Sequence, residues 1–141
     1  MTQKYGKVRA LLVQADDDSF GELKFALENQ GVETYRARSC MEARRILAKT
    51  NVPQVVFTDA NLPDGTWAEV VAAAGKSQSP LNVILVSRVL DVSLYIRALE
   101  GGAFDFIVPP FLGSDLTHIV HCAAGGALSH SGSRARRVTV A

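Results

Sequence analysis

Short apolar runs, each stopped by polar or turn-forming residues and each followed by residues at helical spacing, constrain this chain more than any other feature. The clearest are Val55-Val56-Phe57-Thr58 and Val83-Ile84-Leu85-Val86. A strand with one solvated face alternates apolar and polar residues, whereas a run apolar throughout has both faces covered. Further strands are expected at Val8 to Val13, Val32 to Tyr35 and Ala103 to Val108, with Pro53 and Pro80 marking the approach to the third and fourth. Between them, Phe20, Leu23 and Leu27 recur at helical spacing up to Gly31, and Ser39 with Glu42 forms a capping box for a second helix. Trp67, Val70 and Val71 mark a third helix. Asp91 or Ser93 caps a fourth, closed by Gly101-Gly102, and Ser114 opens a fifth that ends near Gly125-Gly126. Five strands alternating with five helices, joined by right-handed crossovers, predict an α/β three-layer doubly wound sandwich around a parallel five-stranded sheet.

The 141 residues suit one domain, expected over 1–128, with a disordered basic tail over 129–141 that holds Arg134, Arg136 and Arg137 and no acid. Without those three, the remaining basic residues fall short of the 14 carboxylates, so the body is slightly acidic. That balance argues against direct nucleic-acid binding. No apolar stretch reaches the roughly 18 residues of a membrane span, and the polar start from Met1 to Lys7 has no apolar core of a secretory signal. Cys40 and Cys122 stand far apart in helical segments and make neither a disulfide framework nor a metal spacing. A cytoplasmic location is expected. His118 and His121, three apart on the last helix, read as a solvated face.

In such a sandwich the C-terminal ends of the strands share one rim, where open α/β sheets build their sites. Delivered there are Gln14-Ala15-Asp16, then Asp59, then Ser87-Arg88, then Pro109-Pro110-Phe111. Together with Leu62-Pro63-Asp64-Gly65 and Gly102-Ala103-Phe104-Asp105-Phe106, this pattern resembles the receiver domain of two-component response regulators, over about residues 6 to 128. The resemblance implies a flavodoxin-like, CheY-like fold with strand order 2-1-3-4-5. It also implies a phosphorelay in which Asp59 accepts a phosphoryl group from a histidine kinase or phosphotransfer protein. Ser87 would be the sensing hydroxyl, unless it simply bonds to backbone, and Phe106 would be the switch aromatic or else plain core. Mg²⁺ would be held by Asp16, Asp59 and the backbone carbonyl of Asn61. The fourth helix, fifth strand and fifth helix would form the surface for a downstream partner or a homodimer, without enzymatic turnover beyond self-phosphorylation and its reversal.

The family's pattern is incomplete here. Ungapped spacing puts Gln14 and Ala15 where an acidic pair belongs, while a two-residue slip brings Asp16 and Asp17 there and disturbs the Phe20/Leu23/Leu27 register. Asp18 reads as the cap of the first helix and Asp16 as the carboxylate that reaches the pocket. Pro109 replaces the family's lysine and carries neither charge nor N–H. Arg88 is the candidate substitute cation, or a plug that pairs with Asp59. The alternative function is therefore a pseudo-receiver, an interaction module that works without phosphorylation. A small cofactor-binding protein of the same fold is disfavoured, since no Gly-rich loop follows the first strand.

Overall fold

A computed structural model describes residues 8–49, 52–79 and 81–129. Strands β1 (Arg9–Val13), β2 (Glu33–Ala37), β3 (Val55–Asp59), β6 (Asn82–Val86) and β7 (Asp105–Ile107) form one parallel sheet in the order β2-β1-β3-β6-β7. Counting only these five, the order is the expected 2-1-3-4-5. The loop after Asp59 adds a small antiparallel hairpin, β4 (Asn61–Leu62) with β5 (Gly65–Thr66). The helices are α1 (Asp17–Glu28), α2 (Cys40–Leu47), α3 (Trp67–Gly75), α4 (Val92–Glu100) and α5 (Gly113–Ser129).

Both faces of the sheet are covered, which is why the central strands carry no polar alternation. Ala10 and Leu12, Val55 and Phe57, and Ile84 and Val86 point to one side and pack on Leu23 and Leu27 of α1 and on Leu116, Ile119 and Val120 of α5. Leu11 and Val13, Val56 and Val83 point to the other and meet Ala43 and Leu47 of α2 and Val70 and Ala74 of α3. Farther along that side, Leu85 and Phe106 pack with Ala98 of α4 and with Trp67. Gly101 is required there: a Cβ on it would come within 2.8 Å of the Trp67 ring.

Helix ends largely follow local chemistry. Ser39 Oγ accepts from Glu42 N at 3.1 Å and Asp91 Oδ1 from Leu94 N at 3.1 Å. Gly31 (φ 82°) and Gly102 (φ 108°) take the left-handed conformation that closes α1 and α4. There Val32 N donates to Leu27 O at 3.1 Å and Ala103 N to Ala98 O at 2.9 Å. Three expectations are corrected. Asp16, not Asp18, caps α1: its Oδ2 accepts from Ser19 N at 2.8 Å, since β1 releases the chain at that point. The last strand is only Asp105–Ile107. Helix α5 runs through Gly125-Gly126 to Ser129; among the described residues only Gly31 and Gly102 have positive φ, so no left-handed turn stops it. Beyond Ser129, the basic tail lies outside the described residues, as does Pro80.

Candidate functional site

The parallel register sets the site. Leu12 lies beside Phe57 and Val13 beside Thr58, so Gln14, the residue that follows β1, emerges beside Asp59. Gln14 is fully buried, and its Nε2 donates to Asp59 Oδ1 at 3.0 Å. Its Oε1 is also buried and has no hydrogen-bonding partner among the described residues. On the other flank Val86 lies beside Asp59, so Ser87 and Arg88 follow at the same rim. With Ser19 and Pro109, these residues line a cavity of about 20 Å³, room for about one water-sized occupant.

Burial pushes the Asp59 carboxyl above its ordinary value, and the neighbouring Asp16 charge adds to this. The Gln14 amide, the Ala15 N–H and the Arg88 charge pull the other way. Asp16 itself is held below its usual range, chiefly by the Ser19 N–H.

Ser87 lines the cavity, but its Oγ donates to Val89 O at 2.8 Å and accepts from Val89 N at 3.3 Å, closing a turn of its own loop. Arg88 also lines it, yet its NH1 donates to Ser19 Oγ at 2.7 Å. The expected ion pair with Asp59 is absent among the described residues. Phe106 is 4% exposed and meets Tyr95 edge-to-face, with ring centroids 5.6 Å apart, in the core under α4. It does not reach the cavity. Asn61 is exposed at the start of β4. His118 and His121 are exposed, as expected, though His118 Nε2 lies 3.7 Å from Cys122 Sγ.

Two participants escaped the sequence reading. From β2, Arg36 reaches over the β1–α1 loop, donating to Gln14 O at 3.1 Å and to Ala15 O at 3.2 Å. It also pairs with Asp17 at 3.0 Å and lies 4.1 Å from the centre of the Phe20 ring. Asp64 accepts from Cys40 N at 2.7 Å and Met41 N at 3.0 Å, so the hairpin after Asp59 caps α2 from a distance. The Asp-Gly pair at 64–65 signals a turn; nothing local signals the helix it serves.

Mg²⁺ takes six oxygen ligands in near-octahedral array, one or two of them carboxylates. Here Gln14 turns an NH₂ toward Asp59, the Ala15 side chain has no ligating atom and its carbonyl is taken by Arg36, and Asp16 bonds its own helix. Among the described residues no three His, Cys, Asp or Glu side chains gather to hold a metal. The residues present do not fit the ion.

Comparison with known proteins decides the family. The sequence profile of the response regulator receiver domain matches residues 10–121. The chain belongs to that family. This receiver is 30% identical over 102 residues to the response regulator protein PilR of Pseudomonas aeruginosa, spanning 72% of this chain and 23% of PilR. It is 32% identical over 108 residues to the transcriptional regulatory protein PrrA of Mycobacterium tuberculosis, spanning 77% of this chain and 46% of PrrA. The receiver thus spans less than half the length of these curated relatives. Among solved structures, a receiver domain protein from Clostridium thermocellum superposes with a TM-score of 0.75 at 25% identity, over 88% of this chain and 99% of that one. The receiver domain of the sensor histidine kinase PA1611 from Pseudomonas aeruginosa, with magnesium coordinated in its active-site cleft, has a TM-score of 0.73 at 15% identity. It covers 85% of this chain and 99% of that one and shares the fold. Among the described residues no helix is long and apolar enough to cross a membrane.

Proposed function

We propose that this receiver domain of two-component signalling acts through a protein-binding face without phosphorylation of Asp59. The observation that carries the proposal is the bond from the buried Gln14 amide to Asp59. The carboxylate meant to attack phosphorus already has a partner, and that partner is neutral. Phosphoryl transfer is mostly charge neutralisation and alignment. Pro109 offers neither, and the Ser87 hydroxyl is engaged by its own loop. In this reading Phe106 is a core residue and not a switch.

The face itself is apolar. Val89 (66% exposed), Leu90, Val92, Ile96 and Leu99 stand out along α4 and the loop before it. A groove of about 330 Å³, lined by Val108, Pro110, Leu112 and Leu116 among others, runs between β7 and α5. Large exposed apolar side chains on one helix and the loop before it favour a protein partner, here a downstream cytoplasmic protein or a second copy of the chain.

Arg88 favours a second reading. Its charge already draws the Asp59 carboxyl downward, and swung off Ser19 the guanidinium would face a phosphoryl group delivered by a histidine kinase or phosphotransfer protein. Incubation with acetyl phosphate or beryllofluoride and Mg²⁺, followed by mass spectrometry or NMR, separates the two. No adduct at Asp59 is expected; an Mg²⁺-dependent adduct there overturns the proposal, and its loss in Arg88→Ala identifies the guanidinium as the compensating cation.

A further inference from the structure

We infer that this cleft is assembled without a divalent cation, with Gln14 as the residue that positions Asp59 and Arg36 as the one that positions the loop. The inference rests on the phosphorylation-independent reading and extends it from the reaction to the ion.

A buried carbonyl oxygen without a donor is uncommon because it forfeits its bonds to water. Gln14 Oε1 is such an atom, so what favours an amide at this position is its other end, the NH₂ that Asp59 accepts at 3.0 Å. Turning the amide over would satisfy nothing: Oε1 would then face a carboxylate oxygen, two acceptors in contact. The nitrogen's orientation sets the positive end of the amide dipole against Asp59, where it opposes a cation.

The loop is secured from outside. The Arg36 side chain, 16% exposed, engages two backbone carbonyls, the Asp17 carboxylate and the Phe20 ring at once. A planar guanidinium suits such a set because its donors are fixed in a fork and its face stacks on aromatics. The positive charge that organises Gln14-Ala15-Asp16-Asp17 is thus covalently part of β2. Asp16, committed to Ser19 N–H, adds a further internal bond.

Mn²⁺ serves as the probe, read by paramagnetic broadening of backbone amide signals across the full chain. The unchanged protein is expected to show no saturable broadening around Asp59 and Asn61 at millimolar Mn²⁺, and Mg²⁺ should leave the Gln14 side-chain NH₂ resonance in place. Ala15→Asp alone keeps the amide beside Asp59 and should bind weakly. Gln14→Asp combined with Ala15→Asp restores an acidic pair and should bind at least about tenfold more tightly than the single variant. Saturable broadening centred on Asp59 in the unchanged protein overturns the inference, and that test depends on no variant folding. Equal binding by Ala15→Asp and the double variant overturns the role of Gln14. Failure of the underlying reading is separate, because an acetyl-phosphate adduct on Asp59 is scored by mass and not by Mn²⁺.

Discussion

Asp59→Asn should stabilise the fold at neutral pH, against the usual expectation for removing a carboxylate that accepts a hydrogen bond. The present pairing leaves Gln14 Oε1 buried and unsatisfied, which costs about 1–3 kcal/mol. An amide at position 59 can accept from Gln14 Nε2 and donate to Oε1 at the same time. Exchanging a charge-assisted bond for a neutral one returns about 1 kcal/mol. Relief of the burial that raises the Asp59 carboxyl acts in the stabilising direction. The net expectation is a gain of about 1 kcal/mol, or roughly 3–5 °C in Tm for a domain of this size. The gain must depend on pH with a definite sign. A carboxyl whose folded-state value is raised contributes most to stability below its unfolded value, and that contribution is lost as pH rises toward the folded one. The variant's advantage is therefore full at neutral pH and fades on acidification, as Asp59 takes up a proton and becomes a donor itself. Urea denaturation of both proteins at a series of pH values measures this. A variant less stable at neutral pH, or an advantage independent of pH, refutes the Gln14–Asp59 account.

Asp64→Ala should loosen the start of α2, seen as faster hydrogen exchange at the Cys40 and Met41 amides it now holds. Because those N–H groups keep the Asp64 carboxyl below its ordinary value, its contribution is present above the usual carboxylate range and is lost as pH falls through the folded value. Gly65→Ala should destabilise by about 1–3 kcal/mol, since a Cβ there would come within 2.9 Å of Sγ of the buried Cys40, while the exposed Glu69 carboxylate can swing aside; denaturant unfolding checks it. Cys40, 1% exposed and with its thiol pushed up to about 12 by burial, should resist iodoacetamide at pH 8 (a condition far below that value). Exposed Cys122 should react, so mass spectrometry of the native protein should find one adduct, and two only after unfolding.

Much of the fold is legible in the chain because its causes are local or periodic. Val83 to Val86 is apolar throughout since α-helices cover both faces of the sheet, and Gly31 and Gly102 stand where only a left-handed residue closes a helix. Ser39 and Asp91 bond amides three residues on, a relation that spacing alone conveys. The choice among Asp16, Asp17 and Asp18 is different. It depends on where β1 releases the chain, and β1 is fixed by its pairing with β3 across more than forty residues. The length of α5 was equally hidden, because Gly125 and Gly126 permit a stop without enforcing one.

The sequence by itself determined a doubly wound sheet with Asp59 and Pro109 at the rim, and left two registers for the residues beside Asp59, Gln14-Ala15 or Asp16-Asp17. Those facts follow from residue type and order, which act over a few residues. Only the tertiary structure decided what each rim group touches: the Gln14 amide on Asp59, Ser87 on its own loop, Arg88 on Ser19, Arg36 over the first loop and Asp64 on α2. A hydrogen bond needs partners within about 3 Å and aligned, and where separate strands end in space is set by the packed sheet as a whole.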